Sequence, residues 1–181
     1  MTEYQDVLNF WFEEVNAEQW YTKDDAFDRE IWDRFSTEIL AAKAGELWPF
    51  RKTLKGRLAE IIILDQFSRN VFRGDAKSFS SDDMALTLAQ EILEHEDIET
   101  LSTSEKQFLF MPFMHSESLH IHEEFAIPLF KNTPGLEESY RIEKLHKAQI
   151  EKFGRYPFRN EAIGRESTEE EIAFMNENKN F

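Results

Sequence analysis

Gly56-Arg57-Leu58-Ala59-Glu60-Ile61-Ile62-Ile63-Leu64-Asp65-Gln66-Phe67-Ser68-Arg69-Asn70 is the stretch that decides the fold. From Leu58 to Leu64 it leaves almost no polar face, which predicts a central helix covered on all sides. From Leu64 onward it sets Asp65, Gln66, Arg69 and Asn70 among large apolar residues. Asp65 lies seven residues after Leu58, on the same face. Arg69 is four residues from Asp65, and Asn70 four from Gln66, so each pair can meet on one helix surface. Buried polar groups are costly unless paired. The stretch therefore predicts a core helix that also lines an internal polar network or a pocket.

Helical signals surround it. Thr2-x-x-Gln5 reads as a capping box ahead of Val7, Leu8 and Trp11. Phe27, Ile31, Phe35 and Ile39 recur every four residues in a helix over 25–44 that Gly45 stops. The central helix is predicted to follow Gly56, and residues 69–80 to form a loop around Gly74. Ser80-x-x-Asp83 opens a helix carrying Leu86, Ala89 and Leu93, and Ser102-x-x-Glu105 opens another that Pro112 ends or kinks. A helix over 116–131 leads to a Pro134-Gly135 turn, and a further one spans 136–153 with Leu145 and Ile150 facing inward. Residues 154–166 read as irregular, and Thr168-x-x-Glu171 caps a short last helix. About eight helices with short connections and no alternating strand predict an all-α fold of antiparallel hairpins, one domain over 1–181.

Composition narrows the class. Cysteine is absent, which excludes disulfides, thiolate metal sites and a cysteine nucleophile. The N-terminal residues carry no basic segment of the kind that begins a signal peptide, and the longest apolar run, Phe108 to Met114, is too short to cross a bilayer. A soluble cytoplasmic protein, not associated with membranes, is expected. A net charge of −15 argues against nucleic acid as a partner. The charge is uneven: residues 51–77 and 141–165 together hold 14 of the 21 Lys and Arg, each segment with only three acids. Assembling like charges is unfavourable unless carboxylates or a ligand offset it. Convergence of the two basic islands predicts an anion site.

Two further blocks mix apolar and polar residues as the first does. Met111-Pro112-Phe113-Met114-His115-Ser116-Glu117 presents His115 at a helix break beside Glu117, a general acid or base next to a carboxylate. The competing reading is an interior histidine that caps the following helix. Phe153-Gly154-Arg155-Tyr156-Pro157-Phe158-Arg159-Asn160 sets two arginines among aromatics, suited to bidentate recognition of a carboxylate or phosphate. Its competing reading is an arginine network that pins a loop over the core. The candidate ligand-binding set is Arg69, Asn70, Arg73, His115, His146, Arg155, Arg159 and Asn160, with His115 and Glu117 the catalytic candidates.

No metal or other cofactor is expected. His115 and His122 would stand about 10 Å apart on a helix, and His120 and His122 would face opposite sides. Glu117-x-x-His120 and Glu143-x-x-His146 match an element of di-iron bundles, but His120 sits among acids on a solvated stretch.

Motifs along nearly the whole chain also carry a family resemblance. They are Val7-Leu8-Asn9-Phe10-Trp11-Phe12, Gly56-Arg57-Leu58, Leu64 to Gly74, Phe108 to Glu117, Phe153 to Asn160, and Gly164-Arg165 with Ser167-Thr168-Glu169-Glu170. In these the chain resembles an uncharacterised, mainly bacterial family, domain of unknown function number 924. The resemblance implies an all-helical, right-handed superhelix like that of tetratricopeptide proteins, and implies no activity. The chain departs from the family in having Phe158 where His is usual and Ile121-His122 where Asp-Gln is usual.

Three functional readings stay open at this point. One is a helical binding module whose Arg, Asn and His residues hold an anionic group, either a small carboxylate or phosphate or the end of an acidic peptide. The second is a small-molecule hydrolase or isomerase using His115 and Glu117 as acid and base. The third is a protein-interaction scaffold without a pocket. The oligomeric state is open in all three.

Overall fold

In the computed structural model, which describes residues 2–178, the central helix α3 spans Leu54–Ile62. It continues through a widened π-type turn, Ile63–Phe67, into α4, Ser68–Val71. Leu58, Ala59, Ile61, Ile62, Ile63, Leu64 and Phe67 are all fully buried, as a run without a polar face requires. Around them pack α1 (Tyr4–Asn9), α2 (Asp25–Lys43), α5 (Asp82–His95) and α6 (Thr103–Met114). Beyond α6 lie α7 (Leu119–Ile121), α8 (Ile127–Asn132), α9 (Glu137–Phe153) and α10 (Glu169–Glu177). Runs joined by π turns count as one, so the described residues form eight helical runs and no strand. None of these helices is long and apolar enough to cross a membrane.

The core is rich in aromatic rings. Phe10 meets Phe35 at 5.1 Å between centroids, Trp11 meets Phe67 at 5.5 Å and Phe108 at 5.4 Å, and Phe35 meets Phe67 at 5.2 Å. Each fully buried Phe, Leu or Ile contributes about 1.5–3 kcal/mol. These contacts tie the π turn that follows α1, Phe10–Glu14, to α2, the π turn ahead of α4 and α6 in one continuous cluster.

Several boundaries differ from the sequence reading, each for a local reason. The central helix begins before Gly56, because Thr53 caps it by accepting from the Gly56 N–H at 3.0 Å. Gly56 is there for space: a Cβ would lie 2.0 Å from the Phe50 carbonyl oxygen. The first helix starts one residue late. The Thr2 N–H is drawn to buried Glu38 at 2.6 Å, and the cap passes to Glu3 and Asp6. Ser80 does not cap α5; its hydroxyl and that of Ser81 accept from Lys43 Nζ at 2.7 and 3.0 Å. Helix α6 runs past Pro112 to Met114. A proline in the last turn removes one bond, and side chains hold the carbonyls beyond it. Leu145 is 42% exposed, not inward. The inner stripe of α9 is Glu143, His146, Gln149 and Ile150, a mostly polar face that hydropathy alone assigns to solvent. The capping boxes at Ser102/Glu105 and Thr168/Glu171 form as read.

Candidate functional site

The π turn at Ile63–Phe67 places Asp65, 1% exposed, between the central helix and the end of α6. Such turns insert one residue into the helical ladder and redirect the side chains there. Asp65 Oδ1 accepts from Arg69 at 2.9 Å and lies 2.7 Å from His115 Nδ1, while Oδ2 accepts from Gln66 at 2.5 Å. Burial would raise the Asp65 carboxyl, but Arg69 and His115 outweigh it and hold the group ionised, far below the usual carboxylate range. Arg69 also grips Asp82 through two bonds of 2.8 Å.

His115 lies at the C-cap of α6. Burial and the nearby Arg69 push its imidazole pKa down, against the pull of Asp65. The ring is therefore neutral at neutral pH. With an ionised Asp65 facing Nδ1, the proton sits on Nδ1 and Nε2 is a bare acceptor. Among the described residues nothing hydrogen-bonds Nε2. His115 borders a cleft of about 320 Å³ that is also lined by Phe79, Asp82, Asp83, Pro112, Glu117 and Arg159.

Three consecutive carbonyls at this helix end are held by side chains from elsewhere. Tyr156 Oη donates to Met114 O at 2.5 Å, Arg159 donates to His115 O at 2.7 Å, and His122 Nε2 donates to Ser116 O at 2.8 Å. These carbonyls have no helical partner, and holding all three fixes the backbone on both sides of His115. His122 is in turn held by Glu143, Nδ1 to Oε1 at 2.6 Å, both fully buried. A third π turn, His122–Ala126, begins at this histidine. Burial raises the Glu143 carboxyl and the Tyr156 hydroxyl alike.

Arg159 stacks between the rings of Phe79 and Tyr156, 4.8 and 4.6 Å from their centroids, and reaches Asp82 Oδ2 at 3.2 Å. His146 places its ring 6.5 Å from that of His115 and 5.5 Å from that of Tyr156, and donates from Nδ1 to Ile142 O at 3.0 Å. Burial pushes its pKa down to about 3.

Of the candidate residues, Arg69, His115, His146 and Arg159 therefore come together. Asn70 and Arg73 meet on Asp28 instead, at 2.8 and 2.9 Å. Arg155 and Asn160 meet on Glu171, which Arg155 lowers to about 2. Glu117 is occupied by Arg165 through bonds of 2.7 and 2.9 Å and accepts the Tyr156 N–H at 2.8 Å. The carboxylate that orients His115 is Asp65, not its sequence neighbour Glu117. Asp82, Tyr156 and His122 complete the cluster without having been singled out for it, and Asp65 was read against Arg69 but not against His115. Only Asp65–Arg69 has a sequence signal, the four-residue spacing. Among the described residues no three His, Asp or Glu side chains converge as a metal site.

The solved structure of the protein of unknown function ATU0120 from Agrobacterium tumefaciens is similar to this fold, with a TM-score of 0.89 and 32% identity, covering 96% of this chain and 97% of that one. Among curated proteins no match is found. The profile of a family described as bacterial protein of unknown function, DUF924, matches residues 7–179, so the chain belongs to that family.

Proposed function

We propose that the cleft is the site of an enzyme that acts on small molecules by acid–base proton transfer, with His115 as the base. The observation that supports this is a buried, ionised Asp65 on Nδ1 of a histidine that lines the cleft. In the proposed step, Nε2 takes a proton from a substrate hydroxyl, from water or from an acidic C–H, and later returns it to the product or leaving group. Asp65 fixes the tautomer and offsets the charge of the imidazolium that forms. Burial and the charge of Arg69 keep the resting ring neutral. A hydrolytic or isomerising reaction suits such a base. The scaffold reading, which needs no pocket, leaves this arrangement without a use.

Diethyl pyrocarbonate tests the proposal, because it acylates an accessible, unprotonated imidazole nitrogen and releases ethyl carbonate. His115 should react ahead of the other histidines, with an inflection below the ordinary histidine value. Asp65→Asn should slow the reaction. An unreactive His115, or a rate indifferent to Asp65→Asn, overturns the proposal.

A further inference from the structure

The charges around the cleft differ in how fully they are neutralised. Arg69 binds Asp82 through both nitrogens and Arg165 binds Glu117 in the same way, so neither carboxylate is free for a ligand. Arg159 is less well served. It shares Asp82 with Arg69 at the longer distance of 3.2 Å, and its other bond is to the neutral His115 carbonyl. Burial and the like charge of Arg69 push its pKa down, so its surroundings under-compensate its charge. Asp83 shows the opposite deficit. It lies exposed in the first turn of α5, lines the same cleft, and has no cationic partner among the described residues. Phe79, Leu86, Pro112 and Ile163 add apolar surface to the lining, beside Ser80 and Ser116.

We propose that the ligand of this cleft is a small zwitterion of the α-amino acid class, its carboxylate on Arg159 and its ammonium on Asp83. The proposal rests on the reading of the cleft as a small-molecule site, and does not require that His115 be a base. A planar guanidinium stacked between aromatic rings suits a carboxylate. Phosphate carries more negative charge and would face Asp82, Asp83 and Glu117 without a counter-charge of its own. A simple amine would face Arg159. A volume of about 320 Å³ admits an amino acid.

Thermal unfolding tests this, since a ligand that binds the folded state raises Tm. The full-length protein is melted with each common α-amino acid, with the N-acetyl and amide derivatives of those that stabilise, and with inorganic phosphate. At least one amino acid should raise Tm, and masking either its ammonium or its carboxylate should remove most of the rise. Arg159→Gln should abolish the effect. Asp83→Asn, at an exposed position, should erase the preference for the amino acid over its N-acetyl form. Acylation of His115 by diethyl pyrocarbonate is measured without any amino acid present, which separates failure of the base from failure of the ligand class. The proposal is overturned if no amino acid stabilises, if N-acetyl derivatives stabilise as well as their parents in the unaltered protein, or if phosphate stabilises more than any amino acid.

Discussion

Asp65 and His115 lie 50 positions apart, and their contact at 2.7 Å is the one on which the proposed chemistry turns. The sequence showed that Asp65 could reach Arg69, because a four-residue spacing on a helix is a local fact. It pointed to Glu117 for His115 because the two are near in sequence, but a carboxylate two positions along does not face the same way once the helix ends. His146 shows a second residue-scale consequence. Its folded pKa of about 3 lies below the ordinary value of 6.5, so between those values the unfolded chain binds a proton that the folded chain refuses. The His146 contribution to stability is therefore complete above pH 6.5 and declines as pH falls toward 3. Between pH 6.5 and 5, His146→Leu should lose less stability than the unaltered protein, by about 2 kcal/mol, in urea unfolding at the two pH values. His115 adds a loss of the same sign to both proteins, so the difference isolates His146. Gly56→Ala should destabilise by more than about 2 kcal/mol in the same assay, since a Cβ at 2.0 Å from the Phe50 carbonyl forces the backbone apart.

At the scale of elements, the helices themselves were legible and their irregularities were not. Amphipathic spacing and caps predict α2 almost to the residue, and the starts of α6 and α10. The same spacing fails on α9, which turns Glu143, His146 and Gln149 inward and leaves Leu145 outside. Hydropathy assumes that apolar residues decide the buried face, and here polar groups facing a network decide it. The π turns are equally silent in sequence, because a widened turn has no compositional mark, yet one carries Asp65 and another His122. The end of α6 is where these elements cooperate, with Tyr156, Arg159 and His122 on successive carbonyls. Tyr156→Phe removes the first of those bonds and leaves the Met114 carbonyl buried. It should cost roughly 1–3 kcal/mol of stability and slow acylation of His115, whereas Tyr140→Phe, on α9 and absent from this set of carbonyl contacts, should leave the acylation rate unchanged.

Over the whole molecule, the two basic islands do approach one another, through Arg69 and Arg159 on Asp82. Counting acids only within each island misjudged how the rest are satisfied. The partners come from outside: Asp28 for Arg73, Glu96 for Arg57, Glu138 for Arg141 and Glu171 for Arg155. Tertiary pairing of this kind cannot be counted along a sequence. The aromatic core joins the N-terminal helices to α6 in one cluster, so unfolding should be a single transition, with far-UV circular dichroism and tryptophan fluorescence superimposed. Ile62→Ala, at the fully buried centre of α3, should shift both probes together and cost about 2–5 kcal/mol. Separate transitions would show that the cluster does not act as one unit.

The protonation state of His115 tests the account most directly. Nitrogen-15 chemical shifts of the imidazole at pH 7 should show a neutral ring with the proton on Nδ1 and Nε2 bare, and Asp65→Asn should move the proton to Nε2. A ring protonated on Nε2 at pH 7, as imidazolium or as the other tautomer, would contradict the assignment of His115 as an oriented base.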